Sequence, residues 1–251
     1  MADAAKLVTT GLLFWGGAQL ASTVFDRNET AAVAVQAAIA EWGAGAMGIA
    51  WSDPLRPAPP WRAIRARIAR GLGFGFVAAA LVVASTLATR TATVKQAAPS
   101  LSVLTIGVLL GALAAVRDEL LLRGVVLRVT RGLFGIPVGI VVCGFAAAAA
   151  RLGVDGAITL AILAEALRGI ALSTLWIRDR GAWMAVAANA AWAWTAGPLT
   201  HGGLFDLRFV REPDASVPAV LVLAVIAAVA FLQIRQGVGT KPSAEGSRQS
   251  G

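Results

Sequence analysis

The sequence predicts an all-α fold, a polytopic membrane bundle of about eight transmembrane helices. Three observations predict it. The 251 residues are 57% hydrophobic with a mean hydropathy of +0.73. Apolar runs of roughly 18 residues or more recur along the chain, each long enough to cross the hydrocarbon of a bilayer. Only 14% of residues are charged, and most of that charge falls between the runs, where loops belong.

The first run, residues 5–25, contains KLVTTGLLFWGGAQLAS. Small residues follow it, but it lacks the strongly basic lead of a signal peptide, so a retained helix is expected. The second, 31–51, carries Glu41 and the small-residue pattern GAGAMG, which favours close helix packing. RPAPPWRAIRARIARG, residues 56–71, is basic and amphipathic after a Pro-rich turn, and is expected to lie along lipid headgroups. Further spans follow at 71–89, 101–127, 135–152, 156–177, 181–199 and 216–235. The fourth is long enough to tilt or to hold charge at mid-depth. No connection is long enough for a soluble domain. Residues 1–100 therefore form N-terminal membrane helices, 101–235 a membrane core, and 236–251 a flexible cytoplasmic tail.

Loop charge sets the expected orientation. Thirteen Lys and Arg, led by the five between Arg56 and Arg70, fall on one side and five on the other. The positive-inside rule then places both termini in the cytoplasm, and an even number of spans agrees. The net charge of +8 is spread over loops between apolar spans, which points to anionic lipid as the partner and not to nucleic acid. Trp, used eight times against no Tyr, would anchor the interfaces. The single Cys143 and single His201 argue against a disulfide, a metal or a bound cofactor. The wealth of Ala, Gly, Val and Arg fits a bacterial inner-membrane protein.

One stretch breaks the apolar pattern. RDELLLRGVVLR, residues 117–128, ends a membrane-length run with Arg117, Asp118, Glu119 and Arg123. Each charge costs on the order of 2.5–3.5 kcal/mol in hydrocarbon, so these groups must pair or work. The in-span ions Arg117, Arg123, Arg151, Arg168, Glu41, Asp118, Glu119 and Glu165 sum to zero, as internal pairing requires. Glu119 and Arg123 are four apart on one helical face, and Glu165 and Arg168 three apart.

D-E-L-L-L-R-G at 118–124 resembles the E-E-x-x-x-R motif of the CAAX protease and bacteriocin-processing family, polytopic intramembrane endopeptidases of the glutamic type that include the CAAX prenyl protease 2-like enzymes. AAAARLG, 147–153, is similar to that family's F-x-x-x-H motif, and WIRDRGAWMAVAANAAWAW, 176–194, to its last motif, with Trp183, Trp192 and Trp194 in register. The resemblance makes 101–235 a peptidase-like core. It departs from the pattern at Asp118 for the first Glu, Arg151 and Asn189 for two histidines, and Ala193 for an asparagine.

The resemblance implies a glutamate that activates water against a peptide carbonyl, with neighbours that hold the oxyanion. Glu119 is then the base, Asp118 and Arg123 support it, and Arg151 and Asn189 stand where donors to the developing charge are needed. The substrate would be a membrane-associated protein or peptide, and a bacteriocin leader or a C-terminal sorting or anchor segment is expected in preference to a prenylated CAAX tail. The opposing reading is as direct. A permanently charged Arg151 against Glu119 would make a firm ion pair and a poor base, leaving a non-catalytic scaffold that serves as an immunity or sorting partner. His201 is expected in a loop at the far membrane face, and Asp206 is expected to pair with Arg208.

Overall fold

The computed structural model describes residues 2–52, 57–96, 98–155, 159–201, 203–210 and 216–239. The tail beyond 239, and Arg56 and Arg211 among the loop charges, lie outside the described residues. The described chain is a helical bundle. Helices α1 (Ala2–Val24), α2 (Glu29–Ala46), α3 (Trp61–Ala88), α4 (Leu101–Arg117), α5 (Val125–Phe134), α6 (Ile136–Asp155), α7 (Leu160–Asp179), α8 (Trp183–Trp194) and α9 (Val217–Gly239) follow in order. Two π-helical segments, Asp118–Gly124 and Thr195–Leu199, interrupt the series.

Local chemistry sets most of the boundaries. The Asn28 side chain accepts from the Ala31 N–H to start α2, and Ser100 does the same for Val103 at α4. Pro60, extended and without a spare N–H, precedes α3. Gly135, with φ +84°, stops α5 in a backbone state that costs glycine nothing. Four helical stretches are long and apolar enough to cross a membrane: Trp61–Ala88, Leu101–Phe134, Leu160–Asp179 and Val217–Ile234. Large apolar side chains such as Leu101, Phe145 and Val225 point outward, as a lipid-facing surface requires.

Small residues let the helices approach. Gly71 and Gly75 of α3 lie against the backbone of α8, and Gly144 of α6 lies against Ile170 and Ala166 of α7. The principal core gathers Ala18 of α1, Ala40 of α2, Leu120 and Leu121, Ile140, Leu172, Leu175 and Ala185. A second cluster joins α3, α8 and α9 through Val82, Trp192 and Leu223. Residues from the first hundred thus share one core with those that follow.

Two features differ from the sequence expectation. The basic stretch is not a separate surface helix: Trp61–Ala88 is one unbroken helix of 28 residues, about 42 Å long. No proline stands between Trp61 and Ala88, so the arginines simply occupy its first turns. An antiparallel pair of short strands, β1 (Ala92–Gln96) and β2 (Phe205–Phe209), also joins two loops, with Val94 opposite Leu207. Alternation in FDLRF buries Leu207 and leaves Phe205 and Arg208 outside, and the two loops satisfy each other's backbone groups.

Candidate active site

The site begins in the long span formed by α4 and its continuation. At Asp118 the helix widens into seven π-helical residues, DELLLRG. Such segments are rare and occur mostly where a site needs side chains re-aimed. Here Glu119, Leu120, Leu121, Arg123 and Gly124 are all carried into the bundle interior. The fourth span therefore holds its charge in the way its length suggested.

Glu119 is sealed, with 0% of its surface exposed. Its Oε1 accepts from Arg123 Nη1 at 2.5 Å and from Asn189 Nδ2 of α8 at 3.0 Å. Its Oε2 accepts from the indole Nε1 of Trp176 on α7 at 2.8 Å. Three helical segments thus converge on one carboxylate, with both oxygens satisfied by protein donors. Arg123 continues the network: its Nη2 lies 3.8 Å from Glu165 Oε1, and Glu165 Oε2 meets Arg168 Nη2 at 2.5 Å. The Arg168 guanidinium lies over the Trp192 ring, 5.6 Å from its centre. Two acids and two arginines make a neutral chain across the bundle, which is how their burial becomes tolerable. The Cys143 thiol of α6 closes the arrangement against the Arg123 carbonyl at 3.9 Å.

Asp118 faces elsewhere. Its Oδ1 accepts from Arg117 Nε at 2.7 Å, and Arg117 Nη1 donates to Gln36 Oε1 of α2 at 2.6 Å. The Asp118 side chain is 27% exposed and that of Arg117 22%. The two adjacent acids are therefore in opposite environments, one sealed and one open.

Of the residues singled out from the sequence, Glu119, Arg123 and Asn189 come together. Arg151 is half-buried on α6 and has an interaction of its own. It stands eight residues beyond Cys143, about 12 Å along the helix. His201 lies exposed on the turn before β2, its Nδ1 within 3.0 Å of the Gly197 carbonyl. That is the loop position expected of it. Asp206 and Arg208 pair at 3.5 Å, also as expected. Two site residues were missed. Trp176 opened the third motif stretch and was read only as part of its frame. Gln36, a buried amide in the alanine-rich α2, carried no signal beyond being polar on an apolar face.

Residues 99–195 match the family model described as type II CAAX prenyl endopeptidase Rce1-like. This segment is similar to that family. The match runs from the start of α4 through α8, and so contains Asp118, Glu119, Arg123, Trp176 and Asn189. Neither a curated protein nor a solved structure matches the chain. The family resemblance read from the three motifs is borne out over these residues. The matched model is that of an endopeptidase family, so residues 99–195 are similar to CAAX-type peptidases. Together with the apolar helices, it makes this a membrane protein.

Proposed function

We propose that the chain is an intramembrane endopeptidase in which Asp118, and not Glu119, is the carboxylate that meets water. The observation that carries this is the contrast in exposure: Asp118 is 27% exposed, Glu119 0%. A general base must touch the water it deprotonates, directly or through one other water. Glu119 has both oxygens occupied by Arg123, Asn189 and Trp176; it acts as a positioning centre that ties the π segment to α7 and α8. Asp118 would take a proton from water as the oxygen attacks the peptide carbonyl. It would return that proton to the departing amine. Arg117, oriented by Gln36, is the nearest cation for the oxyanion.

The substrate would be a membrane-associated protein cut near the bilayer, with a bacteriocin leader or a C-terminal sorting or anchor segment preferred to a prenylated CAAX tail. The chain would be a multi-pass protein of the bacterial inner membrane with both termini cytoplasmic, as its loop charge suggests. A second reading is a non-hydrolytic scaffold of the same fold, an immunity or sorting partner. One observation favours it: Asn189, at a position where the family has histidine, spends its amide on Glu119.

The test compares the membrane proteome of a deletion strain complemented with wild type, Asp118→Asn or Glu119→Gln, each at matched protein level. Under the proposal, Asp118→Asn leaves the same uncut proteins as the deletion. Glu119→Gln, with its amide still able to accept, retains partial processing. Full complementation by Asp118→Asn would remove the Asp118 mechanism. If Glu119→Gln alone abolished processing while remaining folded, the base would be Glu119.

A further inference from the structure

We propose that a basic cavity at one end of the bundle is a binding site for the phosphate of an anionic lipid headgroup. The cavity is about 370 Å³ and is lined by Ile49, Leu127, Arg128, Arg131, Ile177 and Arg180, with Trp176 also on its wall. It forms where α2, α5 and α7 end and α6 begins. Among the described residues, three guanidiniums and no carboxylate line it.

The described acids nearby, Glu41 and Asp179, are engaged elsewhere. Glu41 accepts from the Trp51 indole, and Asp179 pairs with Arg67 at 3.2 Å. Arg128 donates to the Gly48 carbonyl, which fixes its side chain against the wall. Arg131 and Arg180 meet no acidic group among the described residues. An uncompensated charge of this size calls for an anion.

The wall is built and not incidental. Arg180 holds a left-handed backbone, φ +54° and ψ +42°, at the end of α7. Glycine is the usual residue there, because a Cβ crowds the following carbonyl oxygen in that conformation. The adjoining chain is pinned: Ala182 N donates to the Trp51 carbonyl at 3.0 Å, and the Trp183 indole donates to Ser52 Oγ at 3.1 Å. Trp51 and Trp183 also stack, 4.5 Å between ring centres. Retaining an arginine where glycine is easier indicates that its guanidinium is used.

Lipid is favoured over a free anion by the position and the walls. The lining comes from α5, the end of α7, the start of α6 and the segments that follow α2 and α7. Ile49, Leu127, Ile136 and Ile177 add apolar surface to the lining alongside the arginines. That pairing of apolar and basic lining matches the junction of headgroup and acyl chain. The inference does not depend on which acid is catalytic, or on hydrolysis at all.

The experiment uses the full chain, delipidated in a neutral detergent, and reads retained lipid by native mass spectrometry. Phosphatidylglycerol is compared with phosphatidylcholine. Wild type is compared with the Arg131→Gln, Arg180→Gly double variant, in which the glycine relieves the backbone and protects folding. Lys95→Gln, Arg208→Gln is the control, since both residues are charged and exposed on the β1–β2 pair. The expected result is that the cavity variant loses phosphatidylglycerol retention on the order of tenfold, while the control does not. Equal retention by the cavity variant overturns the proposal, as does an equal loss in the control. Displacement of the lipid by inorganic phosphate near its cellular level would assign the cavity to free phosphate and overturn the lipid source.

Discussion

The carboxylate of Glu119 and the guanidinium of Arg123 meet at 2.5 Å with both side chains shut away from solvent. The contact lies within a single π-helical segment, yet it organises two others. Trp176 brings α7 to the same carboxylate, Asn189 brings α8, and Glu165 takes the far side of Arg123. Removing one partner of such a pair strands the other in a place that water cannot reach.

Arg123→Met should therefore cost about 3–5 kcal/mol, read as thermal or denaturant unfolding in detergent. Adding Glu119→Leu to it should recover much of that loss, because no uncompensated charge then remains. A double variant no more stable than Arg123→Met would show that the penalty comes from packing and not from the stranded carboxylate.

Trp176→Phe keeps an aromatic ring in the core but withdraws the N–H that holds Glu119 Oε2. A buried acceptor left without its donor costs about 1–3 kcal/mol. Trp42→Phe is the comparison, since Trp42 is exposed, and its effect should stay within about 0.5 kcal/mol. Equal effects from the two substitutions would deny the Trp176 indole any special hold on Glu119.

Much of this was legible in the sequence, for physical reasons that vary from residue to residue. The apolar runs declared the helices because hydrocarbon permits little else. Glu119 with Arg123, and Glu165 with Arg168, declared their pairing through spacing alone. The linkage of the two pairs through Arg123 and Glu165 was not legible, since it depends on how α7 packs against the π segment. Nor was the opposite facing of Asp118 and Glu119. On any helix, neighbours point about 100° apart, but which one enters the core is settled by the widened turn. The pairing of β1 with β2 joins residues more than a hundred positions apart, and nothing local announces it.

Glycines along α3 offer a test of how closely α8 must be held. A Cβ added at Gly75 would lie 2.2 Å from the Ala188 carbonyl oxygen and 2.8 Å from Ala191 Cβ. Neither neighbour is the end of a flexible side chain, so helix must move against helix. Gly75→Ala should cost about 1–3 kcal/mol. Because Asn189 follows Ala188 directly, the displaced α8 should also loosen the 3.0 Å bond to Glu119. Gly73, on another face of the same helix, has nothing within 4 Å of its would-be Cβ. Gly73→Ala should therefore be neutral or stabilising by about 0.5–1 kcal/mol, as the backbone loses freedom in the unfolded chain. Thermal midpoints of the two variants in one detergent decide the matter. If Gly75→Ala matches Gly73→Ala, α8 is not seated on α3 as closely as these contacts require, and the placement of Asn189 against Glu119 loses its support.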